Sequence, residues 1–186
     1  MANVEAAFKN LHQDLIDGCK TGDQKAQFQI YKLYYKAMFN TSLRIVSDTM
    51  EAEDIMQESF LSAFEKIDTY SGIVSFGAWL KKIVINRSLD ALNKRKAIFE
   101  DIDTHVGIKD EGGEDIAQKE EIDYRVEEVK QAIEKLPDGY RVILSLYLLE
   151  GYDHDEIGEI LSITSSTSRS QLSRAKQKLI SVLKEK

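Results

Sequence analysis

Apolar and polar positions follow each other along most of this chain at the three-to-four-residue spacing of helices. Phe8, Leu11, Leu15 and Cys19 form one stripe, and Lys20-Thr21-Gly22-Asp23 breaks it, with Asp23 placed to cap the next helix. The segment AQFQIYKLYYKAMFNTSLRIV is long enough for a buried helix, its tyrosines read as packing groups rather than a base-stacking platform. Asp48 with Glu51 three residues later predicts a capping box. The helix it opens carries Ala52, Ile55, Met56, Phe60, Ala63 and Phe64 on one side and Asp54, Gln57, Glu58 and Glu65 on the other. A turn through Asp68-Thr69-Tyr70-Ser71-Gly72 leads to Ser75, a cap for a helix whose apolar face is Phe76, Trp79, Leu80 and Ile83. On that helix Lys82, Asn86, Asp90 and Lys94 recur every four residues and share a polar ridge, with Arg87 and Arg95 one position further round.

After Arg95-Lys96 the period is lost. FEDIDTHVGIKDEGGEDIAQKEE is rich in Asp and Glu, contains Gly112-Gly113, and reads as a linker extended by self-repulsion. Helical spacing resumes near Ile122. Val126, Val129, Ile133 and Leu136 form a stripe that ends before Pro137. GYRVILSLYLLEG predicts a largely buried helix stopped by Gly151. Asp153 and Glu156 predict a second capping box, and the short helix after it turns Ile157, Ile160 and Leu161 inward. Ser162-Ile163-Thr164-Ser165 is a turn, and the last helix buries Leu172, Ala175, Leu179 and Leu183. The expected fold class is all-α, with two small helical domains at 1–97 and 122–186 joined by a flexible acidic linker at 98–121.

Composition agrees with helices: one proline and 10 glycines in 186 residues, 42% hydrophobic and 31% charged. No apolar run approaches the roughly 20 residues of a membrane span, and the N-terminal stretch lacks a signal-peptide pattern. The expectation is a cytoplasmic protein without membrane insertion. Cys19 is the single cysteine and is expected as a buried small hydrophobe.

A net charge of −7 argues against a nucleic-acid binder until its distribution is considered. Between Ala78 and Ala97, Lys81, Lys82, Arg87, Lys94, Arg95 and Lys96 face Asp90 alone. From Ile160 to Lys184 there are Arg169, Arg174, Lys176, Lys178 and Lys184 and no acid. The acids concentrate between Glu100 and Glu128, where they are expected to shield the basic faces. Charge segregated in this way binds phosphates locally despite a negative total.

The chemistry concentrates between Asp153 and Lys178, where a short capped helix, a turn and a longer basic helix make a helix-turn-helix. Its second helix opens with Ser165, Ser166, Thr167, Ser168, Arg169, Ser170 and Gln171. Small hydroxyl residues let a helix N-terminus approach phosphate closely. Arg169 and Gln171 are of the types that read base edges, and Arg174, Lys176 and Lys178 of the type that holds backbone phosphates. His12, His105 and His154 are scattered, and Asp153-His154-Asp155-Glu156 reads as helix capping rather than a metal site, with His154 a solvated surface residue. No nucleophile–base pair, zinc spacing or phosphate loop occurs. Neither enzyme activity, cofactor, metal nor small-molecule substrate is expected.

The stretches EAEDIMQESFLSAF, SFGAWLKKIVINRSLDALNKRK, LPDGYRVILSLYLLEGYDHDEIGEIL and TSRSQLSRAKQKL, in this order, closely resemble the extracytoplasmic-function sigma factors. The likeness runs from about Asp14 to Leu183. It implies a protein that binds core RNA polymerase and directs it to promoter DNA, with an anti-sigma factor as a further family partner. The first stretch resembles the helix that docks on the polymerase clamp, which carries over to Asp54, Gln57 and Glu58. The second resembles the part that opens and reads the −10 element. This carries over to Tyr70, Ser71, Gly72, Ile73, Val74 and Ser75 as the base-capturing loop, and to Asn86, Arg87, Lys94 and Arg95 on the following helix. The helix-turn-helix resembles the −35 reader, implying Ser165, Thr167, Arg169, Ser170, Gln171, Arg174, Lys176 and Lys178 at the DNA. Ser166, Ser168, Gly158 and Gln171 depart from the family, which more often has Gly, Val, Ala and Arg there. A homodimeric helix-turn-helix regulator would explain the residues after Ile122 but leaves the first half without a role. A polymerase-binding adaptor would leave Arg169 and Arg174 without one.

Overall fold

A computed structural model of the chain describes residues 12–102 and 126–184. The described residues fold into eight α-helices, with no strand among them: α1 (Gln13–Lys20), α2 (Gln24–Val46), α3 (Thr49–Glu65), α4 (Phe76–Ile102), α5 (Val126–Glu134), α6 (Asp138–Leu144), α7 (His154–Leu161) and α8 (Ser165–Lys184). Phe8, Leu11, His105 and most of the linker, from 103 to 121, lie outside the described residues, as does Ile122.

Local signals place most helix starts. The Asp23 carboxylate accepts from the Lys25 amide at 2.8 Å, and Asp48 accepts from the Glu51 amide at 2.8 Å. Ser75 Oγ accepts from the Ala78 amide at 3.2 Å. Asp153 and Glu156 complete the reciprocal box, with Glu156 accepting from the Asp153 amide at 2.9 Å. Only half of the first box forms, because the Glu51 carboxylate pairs with Arg95 across the groove between α3 and α4. The helix expected to fade after Arg95-Lys96 runs on to Ile102. Residues 97–102 hold no glycine or proline, so nothing local breaks it.

Helices α1 to α4 form one bundle. Its core is Ile16, Cys19, Ile30, Met38, Phe60, Phe76 and Leu80, with Tyr31, Tyr34 and Tyr35 packed around it as the packing reading expects. Burial, and secondarily the charge of Asp23, pushes the Cys19 thiol up to about 11, so it stays protonated and inert at neutral pH. Helices α5 to α8 form a second bundle around Ile143, Leu146, Ile157, Leu172 and Leu179.

The buried run after Pro137 is not one regular helix. Helix α6 ends at Leu144, and Ser145–Leu149 winds as a single π turn before Gly151, at φ 80°, stops it. A π turn inserts one residue into the helical register and redirects the chain beyond it. The residue it redirects first is Glu150.

The two bundles close against each other. Ile45, Val46, Ile55 and Ile85 of the first and Ile133, Val142, Leu144 and Leu146 of the second belong to one continuous apolar cluster. The polar part of the seam is the C-terminus of α2. A helix end leaves carbonyls without intrahelical donors, and each of the last four here finds a partner. Ser47, in the left-handed region at φ 57°, donates its amide to Leu43 O. Ser145 Oγ reaches Arg44 O at 3.5 Å, Arg141 donates Nε and Nη2 to Ile45 O at 3.2 and 2.9 Å, and Arg95 reaches Val46 O at 3.5 Å. Two of the four partners come from the second bundle, about a hundred residues away along the chain.

Candidate nucleic-acid and polymerase interface

The outer face of α3 presents Asp54, Gln57 and Glu58, all exposed. Positions 50, 54, 57, 58 and 61 lie on one side of the helix, so Met50 and Leu61, both largely exposed, stand among these polar groups. Phe28 of α2 adds to the rim, in a groove shared with Gln57 and Leu61. The sequence reading missed these apolar neighbours; an exposed Leu or Met on a polar helix face was the available signal.

Along the edge of this face, a groove toward α4 is lined by Glu51, Asp54, Glu58, Arg87, Asp90 and Lys94. Arg87 Nη1 pairs with Glu58 at 2.8 Å, and Arg95 pairs with Glu51. Residues expected at two different interfaces are thus salt-bridged to one another. Asn86 and Lys94 remain exposed on the polar ridge.

The loop before α4 divides into support and tip. Tyr70 is 5% exposed, its ring edge-on to Phe76 and its hydroxyl donating to Val74 O at 2.7 Å. As a direct base contact Tyr70 is corrected: its ring is committed to the core, and it shapes the loop from below. Ile73, at 81% exposed, Val74 and Ser71 form the tip, and Gly72 at φ 78° makes the bend that lifts them.

In the helix-turn-helix, α7 and α8 meet through a tight turn. A Cβ at Gly158 would sit 2.8 Å from the Ile163 carbonyl oxygen, so this departure from the family's usual Ala matches a turn that comes closer to its helix. A second departure has a partner of its own. Ser168 is buried, and its hydroxyl meets His154 Nδ1 at 2.9 Å. His154 also stacks on Tyr147, with centroids 5.0 Å apart, so it is a packing residue of this turn and not the solvated side chain expected. A Val in place of Ser168 would leave that ring nitrogen without its partner.

Thr164 caps α8, accepting from the Thr167 amide at 3.1 Å and meeting the Thr167 hydroxyl at 2.8 Å. The Ser165 hydroxyl is buried with no hydrogen-bond partner, so Ser165 turns its backbone and not its side-chain oxygen outward at the start of α8. Ser170 folds its hydroxyl onto Ser166 O at 3.1 Å. Arg169 and Arg174 are exposed, whereas Gln171 is half-buried. Arg169 and Gln171 are two positions apart, about 200° round the helix, so they flank the outward face rather than share it. Lys176 lies over the Tyr147 ring at 5.5 Å, and Lys178 is exposed. Among the described residues no cluster of His, Cys, Asp or Glu is arranged to hold a metal, and no helix is long and apolar enough to cross a membrane.

An exposed acidic face, a raised loop ahead of a basic helix, and a capped helix-turn-helix on one chain together fit a DNA-reading transcription subunit. The model of sigma-70 region 2 matches residues 30–98 and that of sigma-70 region 4 matches residues 126–179. The chain is 30% identical over 177 residues to the ECF RNA polymerase sigma factor SigW of Bacillus subtilis, covering 89% of this chain and 93% of that protein. It is 28% identical over 174 residues to the ECF RNA polymerase sigma-E factor of Escherichia coli, covering 89% and 90%. Among solved structures it resembles the sigma factor RpoE from Bartonella quintana, crystallised with the anti-sigma factor NepR, at 26% identity and a TM-score of 0.58, covering 84% of this chain and 95% of that one. CnrH, solved with the cytosolic domain of CnrY, shares the fold at 20% identity and a TM-score of 0.57, covering 94% and 97%. This chain belongs to the extracytoplasmic-function sigma factors. It is a sigma factor that binds core RNA polymerase and directs it to promoters, and the homodimeric-regulator reading is not favoured.

Proposed function

We propose that residues 1–97 dock on polymerase and read the −10 element, that 98–121 connect, and that 122–186 read the −35 element. The observation that carries this is the separation of faces: α3 offers an acidic and apolar surface, while α8 offers a basic one. Asp54 and Gln57, with Met50 and Leu61 beside them, form the polymerase surface. Glu58 and Arg87 part from each other when polymerase and DNA claim them. Ser71 to Ser75 and the ridge of Asn86 and Lys94 meet the opened −10 strand, with Arg95 at the end of that ridge.

In α8, Arg169 reads base edges and Ser170 and Thr167 lie close to the backbone. Gln171, Arg174, Lys176 and Lys178 flank or follow that face and hold phosphates. The chain works by binding and not by catalysis, and its place is the cytoplasm, where the chromosome is. An anti-sigma factor is the regulator this reading implies, in line with the relative solved with the anti-sigma factor NepR.

The test separates reading from holding. Losing a paired base contact costs about 1–3 kcal/mol and relaxes preference at one or two positions. Losing a phosphate contact weakens all sequences alike and lowers the salt slope by roughly one unit. Arg169→Ala is expected to change which −35 sequences a promoter library yields. Lys178→Ala is expected to weaken binding with the sequence preference intact. An unaltered −35 preference in the Arg169 variant would remove α8 as the base reader.

A further inference from the structure

The π turn delivers Glu150 into the seam, where its side chain is only 2% exposed. Three groups of the first bundle converge on its carboxylate. Arg44 Nη1 lies 2.6 Å from Oε1, the Thr41 hydroxyl donates to the same oxygen at 3.2 Å, and Lys81 Nζ lies 2.9 Å from Oε2. Arg44 and Lys81 are each about one-third exposed, so the cluster sits at the edge of the seam and not in its depth. None of these residues belongs to the docking, −10 or −35 sets above. The cluster adjoins a cleft bounded by Tyr34, Ser75 and Lys81 on one side and by Tyr152 and Glu156 on the other. It therefore lies beside the end of the −10 loop.

Two cations and a hydroxyl aimed at a pair of carboxylate oxygens would serve the oxygens of a phosphodiester equally well, since both are resonance-shared anions that accept several hydrogen bonds. The closed arrangement also cannot read a promoter. The −10 and −35 elements lie about 25 base pairs, hence about 85 Å, apart at 3.4 Å per pair. A compact chain of this length has a radius of gyration of about 16 Å. The two bundles must part for both elements to be reached, and parting strips Glu150 from Thr41, Arg44 and Lys81.

We propose that Thr41, Arg44 and Lys81 form an anion site that Glu150 fills in the closed chain and a DNA backbone phosphate fills in the open one. The carboxylate acts as an internal mimic of the phosphate, so closure and DNA binding compete for the same cations. This rests on the first bundle working at DNA, as proposed above. Glu150→Gln keeps the shape and removes the charge, which loosens the seam and frees the site. A protein whose competent form is a minor fraction binds more weakly by that fraction, and releasing it restores the affinity.

The measurement is binding of a labelled promoter duplex of about 60 base pairs, long enough to carry both elements at 3.4 Å per pair, across a salt series, by the full chain alone and by the chain assembled with core polymerase. For the free chain, Glu150→Gln is expected to bind about tenfold tighter than wild type. Adding Lys81→Gln to it is expected to lower the salt slope by about one unit. In the holoenzyme, already open, Glu150→Gln is expected to match wild type while Lys81→Gln and Arg44→Gln each weaken binding. A free Glu150→Gln chain no tighter than wild type, or a Lys81→Gln holoenzyme indistinguishable from wild type, would overturn the proposal. A wild-type holoenzyme that does not bind DNA at all would instead strike the reading on which it rests.

Discussion

Lysine at both Asp54 and Gln57 is expected to lower affinity for core RNA polymerase about a hundredfold, because like charges brought together at an interface cost several kcal/mol. Both side chains are exposed on α3, and neither takes part in the core, so the variant should melt with the wild type. Glu58 is left alone because it pairs with Arg87, and reversing it would disturb α4 as well. The neighbouring Leu61 provides a control of different chemistry. Truncating Leu61 to Ala removes an exposed apolar anchor and should weaken docking without altering its salt dependence. Competition against labelled wild-type chain for core polymerase decides the matter. Undiminished competition by the double lysine variant would place the polymerase surface elsewhere.

Arg141→Ala is expected to cost about 3 kcal/mol, the range seen when one partner of a buried, charge-assisted network is removed. Arg141 is 4% exposed. Its guanidinium caps Ile45 O, donates to Leu136 O at 3.1 Å, and meets the Asp138 carboxylate at 2.7 Å. Alanine would strand a carbonyl at the end of α2 and another before Pro137, each in a place water reaches poorly. Arg141→Lys should recover little, since an ammonium cannot fork toward three acceptors as a planar guanidinium does. Urea unfolding of the three proteins is the check. A loss below about 1 kcal/mol for alanine would show that this residue does not anchor the seam.

The parts of this structure that sequence makes visible are those decided within a few residues. Asp23, Asp48, Ser75 and Asp153 announce helix starts because a cap needs only its own next turn. The stripes of α3 and α8 announce their buried sides because burial repeats with the helical period. Tyr70 was misplaced because a tyrosine in a turn looks the same whether its ring points into a core or toward a base; the Phe76 and Trp79 rings that receive it lie in the next helix. The inward hydroxyl of Ser165 was hidden for a similar reason, since a serine opening a helix looks the same in sequence whether its oxygen is buried or exposed. Arg87 and Arg95 were recognised as basic but not as paired, since Glu58 and Glu51 lie on a different helix. The seam was the least visible element. One lone cation in the apolar run GYRVILSLY and one acid at the end of a buried helix were its traces, and each has meaning only beside the C-terminus of α2.

That seam joins an apolar cluster to a knot of charges, and both parts respond to temperature in the same direction. Removing apolar surface from water gains strength on warming, because the driving force near room temperature is entropic and carries a large heat capacity. Bringing charges out of water also grows cheaper on warming, as their hydration becomes less favourable. Chain entropy alone opposes this trend. The opposed trends compensate, which keeps the hold of this seam nearly level across the physiological range of temperature.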